Sequence, residues 1–266
     1  MVPCRSIRSG RERFLCDLAS ALKYAYTFSM ITDIQTAIRE VADTQKSALL
    51  GRFFKTGPGE YAEGDQFIGG TVPQLRAIVR TYRDCPLSEV DTLLASPIHE
   101  ERFVALQLLV GQFARGDARV QKKIFDLYIR RIPFVNNWDL VDGSTPHIIG
   151  AYLLDKDRAL LYTFARSRDL WRRRMAILST FAFIRAGDLR DTLAIAEILL
   201  HDQHDLIHKA VGWMLREAEK RDPRAVRAFL ALHGKEMPRT MLRYAIERFP
   251  ERERQQYLQG TIFSCA

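Results

Sequence analysis

Cysteine is scarce in this chain of 266 residues, and its four copies are scattered at positions 4, 16, 85 and 265. No two of them form a Cys-x-x-Cys pair, which excludes a zinc ribbon and a dithiol redox motif. Scattered thiols are typical of a reducing compartment. No apolar run approaches the roughly 18 residues of a membrane span, and the basic N-terminus lacks the uninterrupted apolar core of a signal peptide. We therefore expect a cytoplasmic protein with no membrane segment.

Lysine is also uncommon, because 31 of the 40 basic residues are arginine. The net charge is nevertheless +8. The planar guanidinium of arginine matches phosphate geometry, and an excess of positive charge is a feature of nucleic-acid-binding proteins. Hydrophobic residues make up 47% and charged residues 27% of the chain, which is ordinary for a globular protein. The composition therefore excludes a disordered chain and favours an anionic partner.

Strands of alternating polarity are absent, and nearly the whole sequence has helical periodicity. About a dozen amphipathic segments follow one another, one of them spanning 138–154, and short turns such as Gly116-Asp117 separate them. A weak repeat of roughly 35–40 residues suits stacked helix pairs. We predict an all-α fold, a superhelical solenoid of HEAT-like antiparallel helix pairs. An ordinary globular helical bundle is the alternative at this point.

The domain boundaries follow from two local features. Thr32-Asp33 is a helix start two residues after Met30, so we predict one domain over 30–266 and an N-terminal extension over 1–29 that lies outside it. Residues 55–65 contain three glycines, a proline and acidic side chains, which predicts a loop. Loops of this kind on a rigid scaffold often carry function.

The chain has three tryptophans, and two of them stand at helical spacing from charged residues. Trp138 and Asp142 are four positions apart, so on a helix they share a face. Trp213 follows Lys209 by four positions and precedes Arg216 by three, which places the ring between two cations. Rings interleaved with basic groups suit a surface that holds phosphates while it contacts a sugar or base.

The remaining tryptophan, Trp171, lies among five arginines that crowd into positions 166–174. Each of these features also has a structural explanation. A tryptophan in a helix more often packs in the core, and an arginine run is usually a solvated face. Asp142 would serve equally as a cap for the turn that follows it. The features therefore gain meaning only as a set.

Other chemistries lack their motifs. His201, His204 and His208 lie close together, but the His-Glu-x-x-His pattern of zinc hydrolases is missing and the stretch is typical of a helix start. Neither a Gly-x-Ser-x-Gly nucleophile motif nor a phosphate-binding loop ending in Gly-Lys-Ser/Thr occurs. We expect no metal and no cofactor.

As a set, these segments closely resemble the HEAT-like-repeat DNA alkylation repair proteins, the AlkD-like alkylpurine DNA glycosylases. The loop over 53–65 and the following Phe-Ile-Gly-Gly-Thr-Val-Pro at 67–73 belong to the resemblance, which runs in the same order over about 30–249. It implies a curved stack of helix pairs whose concave, basic face holds duplex DNA. It also implies hydrolysis of the N-glycosidic bond of N3- and N7-alkylated purines, with the lesion left in the base stack and no metal required.

The resemblance implies roles for individual residues. Asp142 matches the catalytic carboxylate, and Trp138 and Trp213 match two aromatic walls of the active site. Arg174 matches an arginine of the DNA-binding cleft, and Tyr61 matches a third aromatic residue that contacts DNA.

The two cations that flank Trp213, Lys209 and Arg216, are further predicted DNA contacts. The expected partner is duplex DNA containing alkylated purines, bound by a monomer that is associated with the nucleoid when on DNA. Two other functions stay open: a catalytically silent binder of branched or damaged DNA on the same scaffold, and a protein-binding scaffold. The aromatic and carboxylate set argues against the first, and a salt-sensitive affinity for DNA would argue against the second.

Overall fold

The computed structural model describes residues 29–262, and all regular elements in that range are helices. A single parallel bridge joins Gln66 and Ile98 outside them. The α-helices are α1 Met30–Glu40, α2 Thr44–Phe53, α3 Val72–Thr81, α4 Leu87–Leu94, α5 His99–Arg115, α6 Ala118–Arg130, α7 Trp138–Asp142, α8 Ala159–Ala165, α9 Leu170–Arg185, α10 Arg190–Ile198, α11 Asp205–Glu219, α12 Pro223–His233, α13 Arg239–Ala245 and α14 Glu251–Gln259. Ile132–Phe134 forms a 3-10 turn and Pro146–Gly150 a π-helical turn.

The helices form a solenoid of pairs, as predicted, and not a bundle around one centre. In the inner layer, α3, α5, α7, α9, α11 and α13 each pack against the next in line. In the outer layer, α8, α10 and α12 do the same, while α4 and α6 pack on α5. Because connectors of a few residues cannot carry the chain along a helix, paired helices run antiparallel. The inner layer thus presents one helix of each pair to the same side.

The core is continuous between the two layers. Helix α9 lies at its centre, and Met175, Ala176, Ile177 and Leu178 are all fully buried there because α7, α8, α10 and α11 surround it. Burial of each large aliphatic side chain stabilises the fold by about 1.5–3 kcal/mol. The stack therefore depends on α9 to connect its two halves.

Glu89 of α4 holds the N-terminal end of α1. Its carboxylate accepts hydrogen bonds from the Ser29 hydroxyl at 3.0 Å and from the Ile31 backbone N–H at 2.6 Å. Helix α1 then buries Ile34 and Ile38 completely. The predicted extension lies outside the described residues except for Ser29, and its separation from the domain stays a prediction.

Two glycines allow neighbouring elements to approach closely. A Cβ atom at Gly212 in α11 would lie 2.5 Å from the Met241 carbonyl oxygen and 2.5 Å from Tyr244 Cβ on α13. A Cβ atom at Gly150 would lie 2.3 Å from the Ser179 carbonyl oxygen on α9. Larger residues would push these backbones apart, so Gly212 sets the spacing of α11 and α13, and Gly150 sets that of the π-helical turn and α9.

The predicted loop over 55–65 is non-helical, but the predicted segment 138–154 is not one helix. It divides into α7 and the π-helical turn, which are separated by residues 143–145. Pro146 has no N–H and begins a new turn. The buried Tyr128 hydroxyl bonds Ser144 at 2.7 Å and Thr145 at 2.8 Å, which stabilises the break.

No helix within residues 29–262 has the length and apolar character needed to cross a membrane.

Candidate active site

An open cavity of about 890 Å³ lies where the 55–65 loop meets the inner layer. Its walls come from the end of α2, the loop, α7, α9, α11 with the turn before it, and α13. We call this cavity the cleft. The structure brings every site residue predicted from the sequence to it: Tyr61, Trp138, Asp142, Arg174, Lys209, Trp213 and Arg216.

The short helix α7 is tied down at both ends. The buried Asn137 side chain accepts a hydrogen bond from the Trp138 N–H at 2.8 Å and donates one to Asp65 at 3.1 Å. After the helix, the Gly143 carbonyl accepts a hydrogen bond from the Gln107 amide at 3.2 Å. These contacts hold α7 against the loop and α5, so that Trp138 and the last residue of α7 line the cleft one helical turn apart.

The carboxylate at the end of α7 is paired with an inner arginine. Arg174 donates from Nε to Asp142 Oδ1 and from Nη2 to Asp142 Oδ2, each at 2.7 Å, and its Nη1 donates to the Leu206 carbonyl. Arg174 is 4% exposed. Burial raises the pKa of Asp142, the guanidinium of Arg174 opposes that rise, and the neighbouring Asp139 carboxylate adds to it. Burial therefore disfavours the anionic form of Asp142, and the ion pair with Arg174 favours it.

A buried charge network lies beneath α7. His99 is 3% exposed, and its Nδ1 and Nε2 atoms each lie 2.8 Å from a carboxylate, of Asp65 and Asp139 respectively. Arg102 donates to the other oxygen of Asp65 at 2.6 Å, and the Phe67 ring stacks on the imidazole at 4.2 Å. Burial by itself lowers the pKa of His99, but the two carboxylates outweigh it and raise the pKa to about 9. A protonated His99 thus bridges the loop to α7.

Trp138 and Trp213 are half-buried and line the cleft. Trp138 stacks on Phe54 with 5.1 Å between ring centroids and meets Phe53 edge-on at 6.0 Å. Trp213 has Phe181 beside it at 6.1 Å. Both tryptophans remain partly exposed beside these rings.

Tyr61 comes from the loop and completes the aromatic lining. It meets Trp171 edge-on at 6.0 Å and His204 at 6.3 Å. Burial raises the pKa of Tyr61, so its hydroxyl is protonated at neutral pH. Trp171 itself is 8% exposed and belongs to the core, which is the structural explanation that the sequence left open for a helical tryptophan.

The two cations that flank Trp213 are both in ion pairs. Lys209 lies 2.8 Å from Asp205 one turn earlier on α11, and this hydrogen bond raises the pKa of Lys209. Arg216 pairs with Glu247, which follows α13. The acidic partners reduce the net charge of this wall while they hold the cations at the cleft.

Nine further cleft residues had no role in the sequence prediction, among them Phe53, Lys55, His204 and Tyr244. Phe53 and Lys55 stand in the sequence segment that carries the family resemblance, so a signal was present for them. Tyr244 reaches the cleft only because α13 packs closely on α11 at Gly212, and its own segment shows no sign of this. The network around His99 was missed for the same reason, since its members come from three separate elements.

The histidines near α11 have structural roles. His204 is the N-cap of α11, and its Nδ1 accepts a hydrogen bond from the Leu206 N–H at 3.1 Å. His208 Nε2 lies 2.5 Å from the Asp202 carbonyl, and His201 lies 3.6 Å from Glu236. Over residues 29–262, no group of three or more His, Cys, Asp or Glu side chains is arranged to hold a metal ion.

The fold and cleft define a class: a helical-repeat protein with an arginine-bound carboxylate among aromatic rings in a cleft lined by cations. The chain belongs to the DNA alkylation repair enzyme family, whose model matches residues 34–249. Membership indicates an enzyme of DNA repair with DNA as its partner.

A solved structure of a predicted DNA alkylation repair enzyme from Enterococcus faecalis superposes with a TM-score of 0.62. The match covers 79% of this chain and 97% of that one at 16% sequence identity, so it shows likeness of fold alone. Comparison with curated protein sequences gives no match.

Proposed function

We propose that this protein is a DNA glycosylase that hydrolyses the N-glycosidic bond of N3- and N7-alkylated purines in duplex DNA without flipping the base. One observation carries the proposal. The cleft holds the Asp142 carboxylate, paired with Arg174, among the rings of Tyr61, Trp138 and Trp213.

The chemistry of the lesion suits a site built around a carboxylate. Alkylation at N3 or N7 makes the purine cationic, so it departs as a neutral base with the electron pair of the glycosidic bond. No proton has to be supplied to the leaving group. The remaining barrier is the positive charge that develops on the sugar and the delivery of water to its anomeric carbon.

Asp142 is placed to act on both parts of that barrier. Its negative charge stabilises the oxocarbenium-like sugar, and a carboxylate oxygen orients the attacking water. The water oxygen bonds to the anomeric carbon, and its proton passes to the carboxylate and then to solvent. Removal of one such electrostatic contact typically lowers an enzymatic rate by about 10²–10³.

Arg174 is the family's cleft arginine by resemblance, and its geometry supports a positioning role. Three of its five N–H groups are used on Asp142 and the Leu206 carbonyl, which sets the plane of the carboxylate. The second hydrogen on each terminal nitrogen is not used in these bonds and is the group that we assign to DNA.

The open shape of the cleft supports recognition from the backbone side. Enzymes that extrude a base enclose it in a snug pocket, whereas this cavity is wide and bounded by rings and cations. The electron-rich faces of Trp138 and Trp213 would contact the sugar and the cationic nucleotide. Each contact would stabilise the bound DNA by about 0.5–2 kcal/mol. We assign Tyr61, Lys209 and Arg216 to the DNA strand beside them.

Action as a monomer and a cytoplasmic, nucleoid-associated location complete the proposal. The scattered cysteines suit a reducing compartment.

The decisive experiment is release of free base under single-turnover conditions from a duplex that contains one 7-methylguanine. We expect release that depends on the protein, and none from the unmodified duplex. Salt-sensitive DNA binding without release would favour the silent binder of damaged DNA. Absence of both would reject the proposal in favour of a protein-binding scaffold.

A further inference from the structure

Helix α2 ends in a motif that normally requires glycine. The Thr56 N–H donates to the Gly51 carbonyl at 3.1 Å, and the Lys55 N–H donates to the Arg52 carbonyl at 3.3 Å. These two bonds are those of a Schellman motif, in which the first residue past the helix cap is left-handed and is usually glycine. Here that residue is Lys55.

Lys55 has φ of 56° and is the one non-glycine residue with positive φ in the range 29–262. A side chain in this conformation crowds its own backbone, whereas glycine adopts it freely. The conformation is held from both sides, because the Lys55 carbonyl also accepts a hydrogen bond from the Ala62 N–H at 3.2 Å and so closes the loop. Strained residues that persist in this way often serve a ligand site.

Lys55 lines the cleft together with Phe53 and Tyr61. The other three lysines and arginines of the cleft are Arg174, Lys209 and Arg216, and each has a carboxylate partner. Lys55 has no salt bridge to any residue that the structure describes. Glu60 also lines the cleft, but its carboxylate accepts a hydrogen bond from the Gly57 N–H at 3.0 Å and forms no salt bridge with Lys55.

We infer that Lys55 binds a phosphate of the DNA backbone at the loop edge of the cleft, and that its left-handed backbone is retained because it turns this ammonium group toward the DNA. The inference rests on the proposed function, since it requires duplex DNA in the cleft. It adds a cation from the loop to those that α9 and α11 supply to the cleft.

The glycine variant of Lys55 tests the inference through two measurements, the melting temperature and the affinity for duplex DNA. Lys55→Gly removes the backbone strain and the charge together, so we expect a melting temperature equal to or above that of the wild type. Duplex affinity should nevertheless fall about fivefold to tenfold at 0.1 M salt, and the slope of log affinity against log salt should drop by about one. A stabilised protein with weaker DNA binding is the opposite of what a structural role would give.

Three further variants make the test specific. Lys55→Asn keeps a residue that tolerates the left-handed region but has no charge, so it should bind as weakly as the glycine variant. Lys55→Arg keeps the charge and should retain affinity within about twofold. Lys123→Ala removes the same charge from an exposed site on α6 outside the cleft and should leave the salt slope unchanged.

Binding is measured on an unmodified 20-base-pair duplex by fluorescence anisotropy at several salt concentrations. If Lys55→Gly binds with the affinity and slope of the wild type, the Lys55 contact is wrong while the proposed function stands. If the wild type itself has no salt-dependent affinity for duplex, the proposed function fails, and this inference fails with it.

Discussion

Asp142 and Arg174 are joined by two parallel hydrogen bonds, from Nε to Oδ1 and from Nη2 to Oδ2, each 2.7 Å long. This geometry fixes both the position and the plane of the carboxylate. Because Arg174 is in turn held by the Leu206 carbonyl, the carboxylate on α7 is oriented by α9 and α11 together. The reactivity that we propose therefore depends on the stacking of three inner helices.

Asp142→Asn should abolish most base release while the protein still folds. The substitution keeps the shape of the side chain and removes its charge, so we expect a loss of about 10²–10³ in the single-turnover rate. The free energy of unfolding should fall, because the buried Arg174 loses its anionic partner. The control is Asp126→Asn, which removes an exposed carboxylate of α6 that pairs with Lys122 outside the cleft. Full activity of Asp142→Asn would reject Asp142 as the catalytic group.

Arg174→Lys should change the pH dependence of base release. Lysine cannot make two parallel hydrogen bonds to a carboxylate. Arg174 opposes the rise in the pKa of Asp142 caused by burial, so a weaker partner leaves that pKa higher. Activity of the variant should therefore be lost at a higher pH than in the wild type as the solution is made more acidic. The check is a pH–rate profile. Arg173 pairs with Asp202 in the wild type, so Arg173→Lys is the matched control. Identical acidic limbs would show that Arg174 does not hold the charge of Asp142.

Trp138 and Trp213 should behave as ligand surfaces, and Trp171 as core. Replacement of a buried tryptophan by alanine typically costs about 3–5 kcal/mol, so we expect a cost in this range for Trp171→Ala. Alanine substitution of the half-buried Trp138 or Trp213 should lower the free energy of unfolding by less, yet both variants should lose base release. Urea unfolding and single-turnover rates on the same samples make the comparison. Trp213 would belong to the core if Trp213→Ala lost as much unfolding free energy as Trp171→Ala and its folded fraction released base at the wild-type rate.

His99 should make the stability of the protein depend on alkaline pH. Its pKa of about 9 in the folded protein lies above the ordinary value of 6.5. Its contribution is therefore fully present below about pH 6.5 and is lost as the pH rises through 9. The free energy of unfolding of the wild type should fall over that range, and His99→Gln should remove most of the fall. His201→Gln, at an exposed site, should keep the wild-type dependence. A fall of equal size in His99→Gln would assign the dependence to other groups.

The helical architecture followed from local pattern because each helix buries one face and the pattern repeats along the chain. The prediction of one helix over 138–154 was wrong because the same local pattern does not show where a helix is interrupted. Leu140, Val141, Ile148 and Ile149 are all buried, so the apolar pattern continues across the break. Tyr128 belongs to another helix, α6, and its hydrogen bonds stabilise the break. The local periodicity of 138–154 does not indicate these bonds.

The sequence by itself determined that Trp138 and Asp142 would share a helical face, because four residues make one turn. It likewise determined that Trp213 would stand between Lys209 and Arg216. The tertiary structure alone decided that Arg174 would bind Asp142 and that His99 would bridge the loop to α7. It also decided that Lys55 would line the cleft with no carboxylate partner among the described residues. These relationships join residues from separate elements, and their geometry is set by how closely the inner helices pack, which local spacing does not encode.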